Sequence, residues 1–173
     1  MKKKNLLITG RPGCGKTTLI KNIADKVSDK NPAGFYTLEI REKGRRVGFE
    51  LVGLRGERAV LSHVRIKSPF RVGRYGVDLK GFEDFLEGLG LFSAETGVYI
   101  IDEIGKMESF SDKFCRIAKA LLDSDTPLVA TVSEKGGGFI EEVKKRPDVV
   151  IYRITPANRD EVLREVFQEI VSS

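Results

Sequence analysis

The amino-acid sequence predicts an α/β fold, in which a mostly parallel β-sheet carries helices on both faces. Short apolar runs alternate with segments whose apolar residues recur at helical spacing. This alternation favours a parallel sheet, because each helix carries the chain back across one sheet face. The chain has 173 residues, of which 40% are hydrophobic and 32% charged, which suits one globular domain over residues 1–173.

The first half of the chain predicts one strand, one helix and an inserted hairpin. Residues 6–8 form a buried strand, and the helix after them ends at Asn31 and Pro32. Residues 35–61 interrupt the alternation of strands and helices. Two arms around a turn at Lys43 and Gly44 predict antiparallel strands added to one edge of the sheet. Residues 62–78 contain one proline and two glycines and are expected to form a loop.

The second half returns to alternating helices and strands. A helix with Phe82 and Phe85 on one face precedes the apolar run 98–101, which ends in two acids and is typical of a central parallel strand. A helix around Phe114, a strand at 127–133, a short helix and a strand at 148–155 come next. The last helix is expected to begin with Thr155 as its N-cap and Pro156 as its first residue.

Charge is concentrated in one segment. The net charge is +5, but residues 41–74 hold ten lysines and arginines against three glutamates, which would attract phosphate groups. The only histidine is His63 and there are two cysteines, so a zinc site or a histidine-based triad is not expected. No apolar run is long enough for a membrane span or a signal peptide, and we expect a cytoplasmic protein.

A glycine-rich loop joins the first strand to the first helix and matches the pattern G-x-x-x-x-G-K-[ST] in full. Its inward-pointing N–H groups and the following helix N-terminus would bind nucleotide phosphates. Lys16 would reach the β- and γ-phosphates, and the Thr17 hydroxyl would ligate Mg²⁺. The predicted nucleotide-binding residues here are Gly10, Arg11, Pro12, Gly13, Cys14, Gly15, Lys16, Thr17 and Thr18.

The second half of this site is predicted at the end of the strand 98–101. Asp102 follows the apolar run and would support Mg²⁺, the role of a Walker B acid. Adjacent side chains of a strand point to opposite sides, so Glu103 would reach a water behind the γ-phosphate and accept its proton. The sequence contains no [NT]-K-x-D guanine-reading motif, which disfavours a GTPase switch.

Five stretches together resemble one known family. They are "TGRPGCGKTTLI", "GFYTLEIREKGRRVGFELV", "RVGRYGVDL", "IDEIGKME" and "NRDEV". The chain is similar over nearly its whole length to the thermophile P-loop nucleoside triphosphatases, whose vertebrate relative is the cancer-related nucleoside triphosphatase. The resemblance implies a RecA-like P-loop fold and slow, Mg²⁺-dependent hydrolysis of NTP to NDP and phosphate. It implies tolerance of the base, including ATP and GTP, with Lys16 and Glu103 as catalytic residues and Asp102 and Thr17 at the metal.

Two further contacts are predicted from position alone. "TPANRD" opens the last helix after a sheet strand, where Asn158 or Arg159 would touch the base, although helix capping explains this stretch as well. Arg71 or Arg74, in a loop flanked by glycines, would act as an arginine finger that closes over the phosphates.

Two alternative functions share the same nucleotide site. A nucleotide or small-molecule kinase would need an acceptor pocket, and Glu103 favours water over such an acceptor. A nucleic-acid-binding ATPase would use the basic segment 41–74, but few aromatic residues lie among its cations, so nucleic acid is not favoured. A monomer is the favoured oligomeric state.

Overall fold

The computed structural model describes residues 4–173, which build a mixed sheet of nine strands in the order β5-β6-β4-β3-β2-β7-β8-β1-β9. In its parallel half, β1, β7, β8 and β9 are strands that the alternation predicted, whereas β2 lies largely in the stretch that interrupts the alternation. Parallel pairing joins β2 to β7, β7 to β8, β8 to β1 and β1 to β9. These strands are β1 (Asn5–Thr9), β2 (Pro32–Glu42), β7 (Val98–Ile104), β8 (Leu128–Val132) and β9 (Val149–Arg153).

Helices cover both faces of the sheet, and their bounds follow. They are α1 (Lys16–Lys26), α2 (Leu79–Gly88), α3 (Lys106–Ser109), α4 (Asp112–Asp123), α5 (Phe139–Lys144) and α6 (Arg159–Val171), with a 3₁₀ turn at Ser28–Lys30. None of the helices within residues 4–173 has the length and apolar composition needed to cross a bilayer.

Two apolar cores lie on opposite faces, as the pleat of the strands requires. In β1, Leu7 packs with α2 and α4, whereas Leu6 and Ile8 pack with α1 and α6. Phe82 of α2 and Phe114 of α4 are fully buried on the first face, with ring centroids 5.4 Å apart. The parallel strands are thus buried on both sides, and the sheet end that carries Thr9 and Asp102 is held firmly in place.

The antiparallel strands form one side of the same sheet. They are β3 (Arg45–Gly53), β4 (Arg58–His63), β5 (Arg71–Val72) and β6 (Tyr75–Val77). The pairing of residues 35–42 with β3, and of β3 with β4, confirms the predicted antiparallel hairpin. Two details of the sequence prediction differ from the structure. β2 is no added strand, because residues 32–35 pair in parallel with β7 before residues 35–42 pair with β3. Residues 62–78 are not wholly a loop, because they contain the small β5–β6 hairpin.

The start of the last helix is also corrected. α6 begins at Arg159 with Asn158 as N-cap residue, so neither Thr155 nor Pro156 takes the predicted capping position. Instead, the Asn158 side chain closes the turn before the helix: its Oδ1 accepts from the Thr155 N–H at 2.7 Å, and its Nδ2 donates to the Arg153 carbonyl at 3.1 Å. An asparagine that satisfies local backbone groups makes a turn here more favourable than an earlier helix start.

Candidate functional site

The glycine loop leaves the C-terminal end of β1 and enters α1. Gly13 and Gly15 have φ of 78° and 97°, a left-handed backbone that glycine adopts without a steric penalty. The Cys14 N–H donates to the Arg11 carbonyl at 3.1 Å, which curls the loop, and the Cys14 side chain is buried in the core beneath it. Gly15 caps α1 without a side-chain bond, so the first N–H groups of the helix face the loop and can bind an anion.

The ammonium of Lys16 lies between the loop and an acidic residue. Its Nζ donates to the Gly10 carbonyl at 2.9 Å and lies 3.7 Å from Oε2 of Glu103. The lysine thus bridges the glycine loop and the end of β7. A phosphate bound by the loop would meet the positive charge of Lys16, beside which the Glu103 carboxylate also lies.

Asp102 is held by donors from three other elements. Thr17 of α1 donates to Oδ2 at 2.8 Å, and Thr131 of β8 donates to Oδ1 at 2.6 Å. The N–H and the hydroxyl of Thr37, on β2, each lie 3.3 Å from Oδ2. The carboxyl group is almost fully buried, and these donors fix its orientation.

The Thr17 hydroxyl and the Asp102 carboxylate fit the predicted magnesium site. Both are hard oxygen donors, they lie within hydrogen-bond distance of each other, and a Mg²⁺ ion takes a few such protein ligands together with phosphate and water. Within residues 4–173 there is no group of three or more His, Cys, Asp or Glu side chains that could hold a metal ion without such help. The donor set therefore suits an ion that arrives with a nucleotide.

Glu103 lies next to Asp102 where β7 loses its regular register with β8, between Ile101 and Ile104; the Asp102–Glu103 peptide bond is cis. Its Oε1 accepts a hydrogen bond of 3.1 Å from Ser133, just beyond β8. Burial raises the pKa of this carboxyl, and Lys16 partly offsets the effect. Glu103 is thus a stronger base than a carboxylate in water, and it remains part-exposed toward the site.

A second acid, Glu108, lies behind Glu103. It belongs to α3, is only 4% exposed, and forms no ion pair with any Lys, Arg or His in the described part of the chain. Burial, reinforced by the charge of Glu103, raises the pKa of Glu108 well above its usual value. The two carboxyls converge on Gly105, where a β-carbon would lie 2.5 Å from Oε1 of Glu103 and 3.0 Å from Oε1 of Glu108.

Asn158 and Arg159 are the two predicted base contacts, and only the Arg159 side chain is not used in the turn that precedes α6. Both polar atoms of the Asn158 amide are used inside the turn before α6. Arg159 instead lies along the glycine loop: a β-carbon at Gly15 would lie 2.4 Å from its Nη1 and 3.0 Å from its Cδ. The structure therefore brings Arg159, but not the amide of Asn158, to the edge of the glycine loop.

The two predicted finger arginines are held by backbone carbonyls. Arg71 donates to Ile66 at 3.2 Å and to Arg74 at 2.8 Å, and Arg74 donates to the Arg46 carbonyl. Contact between the β5 strand and α3 places the Arg71 segment beside the helix that follows Glu103. A finger role would require either guanidinium to exchange these carbonyls for phosphate oxygens.

Four of the ten cations in the basic segment 41–74 form ion pairs with glutamates. Glu39 pairs with Arg41 and Arg46, and Glu42 pairs with Arg65, while Arg58 pairs with Glu50. Arg46 also stacks over the rings of Phe49 and Tyr75. These cations organise the antiparallel strands, which weakens the case for a continuous phosphate-binding surface there.

Sequence reasoning missed four side chains that complete the site. Thr37, Thr131, Ser133 and Glu108 each support or approach one of the two predicted acids. A signal existed for Thr131 and Ser133, because they end a buried strand that was expected to lie parallel to β7. No sequence signal pointed to Thr37, because the hairpin pattern of its strand concealed the parallel pairing of β2 with β7.

The fold and the site together define a P-loop nucleoside triphosphatase. A buried strand leads through a glycine loop into a helix that carries Lys16 and Thr17, and the parallel strand β7 carries Asp102 beside them. A family model described as NTPase matches residues 5–167. The chain belongs to this NTPase family, which confirms the resemblance seen in the sequence.

Named relatives and solved structures agree. The nucleoside-triphosphatase THEP1 of Thermotoga sp. (strain RQ2) is 44% identical over 162 residues, covering 93% of this chain and 92% of that protein. The human cancer-related nucleoside-triphosphatase is 38% identical, covering 98% of both chains. The crystal structure of THEP1 from Aquifex aeolicus superposes with a TM-score of 0.85 at 34% identity, covering 94% of this chain and 96% of that one. The solution structure of a human cancer-related nucleoside triphosphatase gives 0.81 at 37% identity, covering 98% of both chains. The predicted P-loop fold is thereby confirmed.

Proposed function

We propose that this protein hydrolyses nucleoside triphosphates to nucleoside diphosphates and phosphate, with Mg²⁺, and accepts several bases, ATP and GTP among them. One observation carries the proposal: Oε2 of Glu103 lies 3.7 Å from Nζ of Lys16, the residue that binds the terminal phosphates. A carboxylate so close to that lysine lies at the end of the triphosphate where water must attack.

Each residue has a distinct part in the reaction. The loop N–H groups and Lys16 bind the β- and γ-phosphates, and Thr17 and Asp102 would hold Mg²⁺, which neutralises phosphate charge. Glu103 orients a water molecule and accepts its proton while the water oxygen bonds to the γ-phosphorus and the bond to the β-phosphate oxygen breaks. Ser133, by donating to Oε1 of Glu103, helps hold the carboxylate with its other oxygen, Oε2, toward Lys16.

Base tolerance follows from where the contacts are. The loop and the metal hold only the triphosphate, which all NTPs share, and Arg159 presents a guanidinium plane that can stack on any base. Arg71 or Arg74 would supply transition-state charge only after leaving its carbonyl partners, which accords with slow turnover. The cytoplasmic location and the monomeric state stay predictions from the sequence.

Phosphate release from a panel of NTPs tests the proposal. Lys16→Ala should lose both nucleotide binding and turnover, whereas Glu103→Gln should keep binding and lose most hydrolysis, about a hundredfold or more. Chelation of Mg²⁺ should abolish release. Glu165→Gln, an exposed position on α6, is the matched control and should behave as wild type. Hydrolysis by Glu103→Gln at the wild-type rate would refute the role of Glu103.

A further inference from the structure

A cavity of about 520 Å³ opens beside the antiparallel half of the sheet. Its three walls are the β5–β6 turn with Arg71, the segment of α3 from Lys106 to Phe110, and the glycines that lead into α5 with Phe139. This volume falls within the range of about 300–1,000 Å³ that is usual for small-molecule sites. The cavity is thus large enough for a nucleotide-sized ligand.

The cavity is separate from the glycine loop, and two of its walls lie close along the chain to Glu103 and to Ser133. None of residues 10–18 lines it. Its α3 wall begins at Lys106, three residues after Glu103, and its third wall continues from Ser133, which donates to Glu103. Gly105, which directly precedes the α3 wall, packs against the Glu103 carboxyl so closely that a β-carbon would not fit. The cavity wall and the acid therefore belong to one tightly packed stretch of backbone.

The charged groups on the cavity walls are all positive. Two side chains there are cationic, Arg71 and Lys106, and no Asp or Glu lines the cavity. Lys106 is exposed and forms no ion pair within residues 4–173. The guanidinium of Arg71 donates to two neutral carbonyls, so its charge is not neutralised by them. A ligand with phosphate charge fits these walls.

The rest of the lining suits a flat ring. Phe110 and Phe139 contribute aromatic surface, and the 37%-exposed Phe70 packs against Phe110 with ring centroids 5.5 Å apart. Aromatic faces stack on nucleobases with little preference for one base, typically for about 1–3 kcal/mol per base. Cations and rings lining one cavity favour a ligand that has both a phosphate and a base.

We propose that this cavity binds a nucleoside monophosphate as a second ligand, next to the nucleoside triphosphate on the glycine loop. Lys106 and Arg71 would hold the single phosphate, and Phe110 and Phe139 would pack against the base. The proposal concerns binding, so it does not depend on Glu103 acting as the base in hydrolysis.

Binding of AMP, GMP and UMP is titrated by calorimetry on the full chain, with Mg²⁺ and a non-hydrolysable ATP analogue already filling the glycine loop. We expect saturable binding at one site, weaker for adenosine alone and for inorganic phosphate alone. Lys106→Ala should weaken AMP binding about tenfold, Lys106→Glu more, and Lys106→Arg should restore it. Lys119→Ala, an exposed lysine on α4, should leave it unchanged.

Absence of saturable AMP binding to the loaded protein would overturn the proposal. So would equal binding by wild type and Lys106→Glu, or displacement of AMP by the ATP analogue, which would place AMP on the glycine loop. Phosphate release is measured on the same preparations. Its loss in Lys16→Ala bears only on hydrolysis, so the two proposals can fail separately.

Discussion

The hydroxyl of Thr131 donates to Oδ1 of Asp102 at 2.6 Å, inside the sheet and away from solvent. This bond joins the ends of two neighbouring parallel strands, β8 and β7. It leaves Oδ2 to face Thr17, on the side where the metal is expected. A residue outside both predicted nucleotide motifs therefore sets the direction of the Asp102 carboxylate.

Thr131→Val should disturb this arrangement without changing side-chain volume greatly. Loss of one charge-assisted hydrogen bond should cost about 1–2 kcal/mol in the free energy of unfolding and lower the apparent Mg²⁺ affinity about tenfold. Urea unfolding and Mg²⁺ titration of phosphate release measure the two effects. Thr96→Val is the control, since the buried Thr96 hydroxyl has no partner in the described residues. An unchanged Mg²⁺ dependence in Thr131→Val would remove the positioning role.

Glu108→Gln should change how stability depends on pH. The folded protein raises the pKa of Glu108 and so retains a proton that the unfolded chain releases above about pH 4.3. Wild-type stability should therefore fall as pH rises from there through the raised pKa. The variant lacks this loss, so its Tm should exceed that of wild type by an increasing margin as the pH rises from about 5 through the raised pKa of Glu108.

These melting curves are measured without Mg²⁺ and nucleotide, so that ligand binding does not contribute. Glu165→Gln, at an exposed position, provides the control for removing one negative charge. Parallel curves for wild type and Glu108→Gln would show that Glu108 is ionised in the folded protein.

Arg159→Ala should raise the KM for ATP, GTP, CTP and UTP by a similar factor, about tenfold, because stacking does not distinguish bases. Inorganic tripolyphosphate carries no base, so its hydrolysis should be unaffected. Arg164→Ala, exposed on the same helix, should match wild type. If tripolyphosphate hydrolysis falls as much as ATP hydrolysis, Arg159 contacts phosphate instead of the base.

Arg71→Ala and Arg74→Ala test the arginine finger. The variant that removes the finger should lower kcat about tenfold or more with little change in KM, because the charge acts on the transition state. Arg55→Ala, on an exposed turn, is the control. Wild-type kcat in the double variant would exclude a finger from this hairpin, and Lys106 would be the next cation to examine.

The sequence predicted those parts of the site that depend on local chain geometry. The glycine loop and Lys16 are neighbours in the chain, and Asp102 follows a buried strand, so a pattern of residues is enough to locate them. Thr37 and Glu108 reach the site only through long-range packing. The start of α6 was misplaced for a local reason, because Asn158 closes a turn that competes with helix capping.

The parallel pairing of β2 was the main feature of the fold that the sequence concealed. The residues of β2 follow the alternating pattern expected of a hairpin arm. The first residues of the same strand, 32–35, also pair in parallel with β7 as part of the central sheet. Register between distant strands depends on which face each must bury, and that is settled only when the whole sheet assembles.

Since β2 runs without a break from Pro32 beside β7 to Glu42 at the hairpin tip, the antiparallel part is no detachable appendage. Deleting the hairpin together with β2 would strip β7 of a ladder partner and expose a new edge along the strand that carries both acids. Any truncated form of this protein that is meant to keep the catalytic centre intact must therefore retain β2.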